Sequence, residues 1–389
     1  MSSSTAPVTS PSTARSDVVI VGAGIIGLAH AFEALSRGLS VTVVDRDRRP
    51  VGASVRNFGH CCISAQDGDL LALAQRSRPG WLRAAAAAGF WAAEAGTLVV
   101  ARSATEAAVL EELHAERGGD AVRLRSAAQT AEALGRAAGA DGDLVGGALL
   151  PADLRVDPRE AAPGLARWVA EQPRGRVLWG TAVTGVEPGA VHTTRGPVHG
   201  DRILVCVGHD LDYLFPDVAE DHGIQRCRLS MARAEAPAGF RTDSAVLTAT
   251  SMLRYDAFTT RPSAARLREE ALGHSAELLE IGANVMFTRR PDGTVLLGDS
   301  HHYDATTPPF IDERTYELLI DAVARVLGVP RLRILERWQG VYASSPRGPL
   351  LVRDLAPGVR AVSVTSGIGM TLSFGLAAAG FDGTLAATA

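Results

Sequence analysis

Glycines at 22, 24 and 27, spaced G-x-G-x-x-G, and an aspartate at 45 are the residues of this sequence best suited to hold a phosphorylated ligand. Gly22 would let the chain turn sharply, Gly24 would let a pyrophosphate approach the backbone, and Gly27 would let a following helix pack close to a strand. The first turn of that helix would offer free N–H groups and a positive dipole end to phosphate oxygens. Asp45 lies 18 positions beyond Gly27, near the ~20 expected of an acid that accepts from ribose hydroxyls. Its charge would repel a 2′-phosphate, which argues against NADP. These residues alone leave FAD and NAD both open.

Later segments favour FAD. Ser366-Gly-Ile-Gly-Met-Thr371 is a second glycine-rich turn opening a helix, suited to another polar part of a ligand. The apolar strand 203–207, ending in Gly208, also lies far downstream. The pattern is therefore split, whereas a nicotinamide-binding Rossmann domain is contiguous.

Other chemistries are excluded by composition. All 39 Lys+Arg residues are arginine, so no lysine can form a Schiff base. Cys61, Cys62, Cys206 and Cys227 form no C-x-x-C pair, and no metal centre is expected. No Ser-His-Asp or Cys-His signature stands out. The net charge of −4 is spread along the chain, which disfavours nucleic acid as a partner. No run reaches the ~18 apolar residues of a membrane span. Residues 1–16 read as a disordered leader, and the cysteine usage suits a cytoplasmic protein.

The elements that must position these residues begin with apolar strands at 18–21 and 41–44 around a helix from Ile25 to Ser36. A helix over 69–89 should break or kink at Pro79. Residues 90–96 and 97–101 read as a hairpin, 105–117 and 126–134 as helices, and 146–151 as a strand and turn. Asp157-Pro should cap a helix reaching 171. Strands follow at 176–179 and 183–187, then a hairpin at 190–198 and the strand leading to Gly208. Residues 226–260 alternate like strands and 266–279 like a helix. A hairpin spans 284–298, a helix 312–327, and strands 334–342 and 359–365 precede the last helix.

Taken in order, GAGIIG at 22–27, ASVRNFG at 53–59, LVCVGH at 204–209 and TSGIGMT at 365–371 resemble glycine oxidase/D-amino-acid oxidase-like flavoenzymes. The similarity covers nearly the whole chain after residue 16. Within that family, RNFGH at 56–60, GDSHHY at 298–303 and WQGVYAS at 338–344 resemble a clade associated with phosphonate catabolism. The resemblance implies an α/β fold of two parts. A Rossmann-like FAD-binding domain would comprise 17–92, 147–225 and 328–389, and a discontinuous antiparallel-sheet substrate domain 93–146 and 226–327.

It also implies residue roles. Gly22, Ala23, Gly24, Ile25 and Gly27 would hold the pyrophosphate, Asp45 the ribose, Arg46 the flank of the adenosine and Val183 the adenine. Ser54, Arg56 and Asn57 would form a second phosphate-side loop. Gly208, Gly340, Gly367, Ile368, Gly369, Met370 and Thr371 would complete the cofactor contacts. The segment 338–349 lacks the cysteine that binds flavin covalently in the sarcosine-oxidase branch. His60 stands where another branch carries a flavin-linked histidine. Non-covalent FAD is the expectation. Asp45 replaces a more usual glutamate, and no lysine is present to assist O2, so O2 or another electron acceptor remains open.

The implied reaction is oxidation of the C–N bond of an aminoalkylphosphonate related to 2-aminoethylphosphonate, giving an imine and then aldehyde plus amine. A phosphonate calls for forked donors. Arg254 and Arg347 are the candidates, with His60, His301, His302, Gln339 and Tyr342 beside them and His60, Tyr255 and Met370 nearest the chemistry. Three other readings are glycine, sarcosine or D-amino-acid oxidation, a flavin-binding subunit or sensor without turnover, and an NAD-dependent dehydrogenase.

Overall fold

In a computed structural model of the chain, residues 15–136 and 142–388 are described. The expected leader lies outside them except at its end, where Ser16 already opens the first strand and Arg15 pairs with Asp201. Five parallel strands, in the order Val359–Val364, Val198–Val205, Ser16–Val21, Val41–Val44 and Gly175–Leu178, form the first sheet. Val18 and Ile20 face one hydrophobic cluster, Val19 and Val21 another. Both faces are covered, so the strand shows no polar alternation. The hairpin 183–193 leans on one end of Val198–Val205, and Leu350–Ala356, a strand missed in the sequence, pairs antiparallel with Val359–Val364.

One face of this sheet carries helices Ile25–Ser36, Gly68–Ala88, Pro158–Glu171 and Gly369–Phe381. Asp157 caps the third by accepting from the Arg159 amide, as expected. Gly68–Ala88 runs through Pro79 without the expected break. Packing against the last helix outweighs the ~3 kcal/mol penalty of an internal proline. A Cβ at Gly375 would stand 2.1 Å from the Leu73 carbonyl oxygen, and one at Gly80 2.5 Å from the Cβ of Phe374. Trp81 donates its indole N–H to the Met370 carbonyl at 2.8 Å, and its ring meets Phe374 edge-on.

The second sheet is built on Gln225–Glu235, paired along its length with Ile334–Ser344 and on its other side with Thr294–Gly298 and His302–Asp304. It continues through Met286–Arg289, Ala245–Leu247, Thr97–Ala101, Gly146–Leu150 and Arg123–Ser126. Ala245–Leu247 runs parallel to Thr97–Ala101, so the sheet is mixed rather than antiparallel throughout. Strands 146–150 and 334–344 belong to this sheet, although the expected division put them in the dinucleotide part.

Three local expectations also change. Ala92–Ala93 joins His60–Cys61 and Leu154–Val156 in a small sheet instead of forming a hairpin with 97–101. Residues 249–252 and 256–259 are helical turns where strands were expected. The 266–279 helix is two, Ala264–His274 and Ala276–Glu280, interrupted at Ser275. No helix among the described residues is long and apolar enough to cross a membrane.

Candidate active site

A cavity of about 760 Å³ opens at the carboxyl ends of the parallel strands and extends beneath the second sheet. Ligands of open α/β sheets bind at such strand ends. At one end of the cavity Gly22 turns the chain with φ +105°, and a Cβ there would stand 2.5 Å from the Cys206 carbonyl oxygen. A Cβ at Gly27 would stand 2.0 Å from the Gly22 carbonyl oxygen, so glycine is what lets the helix approach the strand. The side chain of Ser54 reaches in from the 53–57 loop and accepts from the Ile25 amide at 2.8 Å. Asn57 shapes that loop by donating to the Ala53 carbonyl and accepting from the Gly59 amide.

Asp45 accepts from the Ala23 amide at 2.7 Å and the Asp47 amide at 2.8 Å. Burial pushes its carboxyl up, and those two N–H groups pull it back. Arg46 is turned aside to pair with Asp210 at 2.7 Å, a residue the sequence reading did not single out. Val183 and Gly208 line the same end, and Arg56 donates to the Gln339 carbonyl at 3.3 Å.

The second glycine turn meets the middle of the cavity. Gly367 has φ +79°, and a Cβ there would stand 2.9 Å from Tyr342 Cζ, so the phenol ring packs on the bare turn. Ile368, Gly369, Met370 and Thr371 line the cavity beside it, as does Gly340. Thr371 Oγ1 accepts from the Cys62 amide at 3.0 Å, and this ties the last helix to the 58–63 segment.

Beyond Tyr342 the lining becomes a compact polar group. Arg254 Nη2 donates to the Tyr342 hydroxyl at 3.1 Å. Burial opposes the guanidinium charge, but Tyr342, Tyr303, Asp299 and Tyr255 outweigh it, so Arg254 stays cationic. Tyr255 is pushed up by burial, and Asn284 Nδ2 donates to its hydroxyl at 3.4 Å. Burial, then the neighbouring Arg254, hold His301 neutral, and its Nδ1 is 2.8 Å from the Gly282 carbonyl oxygen. Asp299, four residues after the Val295 that anchors its strand in the core, is buried here too.

His60 lines the cavity wall with Nε2 at 2.6 Å from Thr97 Oγ1 and 3.1 Å from Asp153 Oδ2, while its Nδ1 is unpartnered. His60, Cys62 and Asp153 bring ligand-type atoms within 4.8 Å of one another. Asp153 is already committed to Ser64 N, Thr97 Oγ1 and His60, and burial keeps the Cys62 thiol protonated. Asp153, His60, Thr97 and Ser64 are thus a hydrogen-bonded group, with the Cys62 thiol beside it.

Three expected substrate residues do not line the cavity. Arg347 sits exposed in the turn after Ser344, its amide bonded to Ser345 Oγ. Gln339 is an odd number of residues from Tyr342 on one strand, so its side chain leaves by the other face and reaches the Phe310 carbonyl. His302 opens an edge strand and likewise points away from His301.

A family model described as FAD dependent oxidoreductase matches residues 17–380. The chain belongs to this DAO family of FAD-dependent oxidoreductases. The glycine cradle at 22–27, the Asp45 carboxylate and the second bare turn at 367–369 fit an extended dinucleotide, and FAD is the cofactor of the family. Glycine oxidase from Geobacillus kaustophilus is 18% identical and covers 94% of each chain, with a TM-score of 0.72. L-proline dehydrogenase from P. horikoshii is 17% identical over 95% of this chain and 94% of its own, at 0.74. Iminodiacetate oxidase from Chelativorans sp. BNC1 is 17% identical over 96% and 97%, at 0.71. No curated protein matches the sequence significantly.

Asp45→Ala should weaken FAD binding at least about tenfold, since the Ala23 and Asp47 amides lose a charged acceptor and the expected ribose contact would be lost with it. Flavin retained through gel filtration, followed by titration of the stripped protein, measures this. Undiminished affinity would remove Asp45 from the cofactor site.

Proposed function

We propose that this chain oxidises the C–N bond of a small amine bearing an anionic group, and that its substrate is an aminoalkylphosphonate of the 2-aminoethylphosphonate type. One observation carries the reading. Arg254 is a half-buried, charged guanidinium at the cavity wall that makes no ion pair with a carboxylate among the described residues. A partly desolvated cation with no directly paired carboxylate is costly, and a ligand phosphonate or carboxylate would relieve that cost.

FAD, when bound, supplies the two-electron acceptor for the carbon bearing the nitrogen. The protein's own part is to hold and to shield. Arg254 and the Tyr342 hydroxyl would grip the anionic end, with Tyr342 itself seated on the Gly367 turn. Tyr255, Met286 and Leu229 would keep water from the reacting carbon. His60, fixed through Nε2 by Thr97 and Asp153, would present a defined ring edge to the same space. The product imine would be hydrolysed to aldehyde and amine by water.

The neighbours named glycine oxidase and iminodiacetate oxidase support amine oxidation of small anionic substrates. The RNFGH, GDSHHY and WQGVYAS segments are what favour phosphonate over carboxylate. Anaerobic mixing of the yellow holoenzyme with 2-aminoethylphosphonate, its N-methyl derivative, glycine, sarcosine and D-alanine tests the choice. Fastest loss of flavin absorbance is expected with an aminophosphonate. Faster loss with an amino acid moves the substrate to that class, and no loss with any amine leaves a flavin-binding subunit. Readmitting air then distinguishes an oxidase from a dehydrogenase.

A further inference from the structure

Asp299 lines the same end of the cavity as Arg254 and is 4% exposed. Its Oδ1 has no hydrogen-bond partner, and its Oδ2 lies 3.9 Å from His301 Nε2. The backbone around it is fixed. Asn284 N donates to the Asp299 carbonyl at 2.8 Å, and Asp299 N to the Asn284 carbonyl at 2.9 Å, at the open end of the hairpin formed by Met286–Arg289 and Thr294–Gly298. Asn284 is itself held by the Ser251 hydroxyl at 2.7 Å. The carboxyl is therefore aimed by rigid strands, yet one oxygen is left unused. Buried polar atoms are nearly always paired, so an orphan in a cavity wall marks a place for a ligand donor.

The surrounding side chains narrow what that donor is. Tyr255, Tyr342 and His301 are neutral here, the first two held protonated and the last held unprotonated by burial. Burial pushes the Asp299 carboxyl up to about 7, against the pull of Arg254. Arg254 and Asp299 thus stand as one cationic and one acidic group among neutral neighbours, and among the described residues they form no ion pair with each other. Two opposite groups held apart in one pocket match a small zwitterion.

We propose that Asp299 is the amine-binding residue of this site: its free Oδ1 accepts a hydrogen bond from the substrate nitrogen while Arg254 holds the anionic end. The proposal rests on the amine-oxidation reading above. It adds that the pocket recognises both ends of its substrate, so anions without an amine and amines without an anion should each bind poorly.

The test uses holoenzyme under anaerobic conditions and reads affinity from the flavin spectrum: static perturbation for an unreactive ligand, and for an amine that reduces the flavin the concentration giving half-maximal reduction rate. The probes are 2-aminoethylphosphonate, ethylphosphonate and ethylamine, measured with the native protein and with Asp299→Asn. In the native protein the aminated phosphonate should bind at least about tenfold tighter than ethylphosphonate. In Asp299→Asn its affinity should fall about 30-fold or more, while ethylphosphonate binds as well as before or better, because a neighbouring negative charge is gone. Equal loss for both phosphonates would reduce Asp299 to a structural residue, and no loss for either would remove it from the site; both overturn the proposal.

Should Asp299→Asn lose its flavin, the native pair still decides, since equal affinities for the aminated and deaminated phosphonates sink the idea. Failure of the function reading looks different. Ethylamine would then perturb the native spectrum in an Asp299-dependent way while neither phosphonate did, leaving an amine site without an anion anchor.

Discussion

Gly27→Ala is expected to yield protein that holds no flavin and melts far below the native enzyme. The added methyl would stand 2.0 Å from the Gly22 carbonyl oxygen and 3.0 Å from Ile20 Cγ2, both inside the first strand and its turn. Neither can move away cheaply, because Ile20 is fully buried between paired strands and Gly22 donates its amide to the Val44 carbonyl at 2.8 Å. The helix must shift outward instead. Overpacking of this kind costs about 3 kcal/mol or more, and the shift also carries the helix N-terminus away from the phosphate position. Calorimetry with and without added FAD measures both parts. A native-like Tm with full flavin content would show that the strand–helix distance is not set by this residue. Gly24→Ala is the control for the fold alone: its Cβ would meet only Ser54 Oγ at 3.3 Å, so a modest loss of Tm is expected, while flavin binding should still weaken because the methyl stands where the pyrophosphate approaches.

Arg254→Met is expected to leave flavin content and fold intact and to lower kcat/KM for the anionic amine by roughly 100-fold, or about 3 kcal/mol. Methionine keeps most of the stem's packing and removes the charge that a substrate anion would meet. The loss should sit mainly in KM, because the anion is held alike in ground and transition states. Arg254 also pulls the Asp299 carboxyl down, so the variant should raise Asp299 further toward its protonated form. Unchanged kinetics for Arg254→Met would end its role as the anion anchor, and Arg347, exposed in its turn, offers no replacement.

Much of the dinucleotide end was legible in the sequence because each residue there does a job that depends on its type at a fixed spacing. Gly22, Gly27 and Asp45 are local to one βαβ unit, and the turn at 366–371 repeats the same logic. The rest is set by pairings across hundreds of residues. Nothing in Ala92–Ala93 announces that it joins His60–Cys61 rather than Thr97–Ala101. Pro79 disfavours an isolated helix, and packing against the last helix and the shared core keeps this one continuous.

Arg254 could be named as a candidate but not separated from Arg347 until burial distinguished them. Asp299 lies within the GDSHHY segment, where the two adjacent histidines are the more conspicuous ligand types. Its signal was an acid directly after the apolar strand 294–298, at the end that faces the cavity.

The bare faces of Gly375 and Gly80 bring the helix Gly369–Phe381 into backbone contact with Gly68–Ala88, and its residues fill the first cluster beside helix Ile25–Ser36. A strand and helix that begin 332 and 342 residues after Gly27 are thus part of the same interior as the opening βαβ unit. While the chain emerges from the ribosome, the early segment must wait with that face uncovered until residue 381 has been made. Closing of this interior is therefore a late step in the folding of the chain, since its first and last helices must both be present.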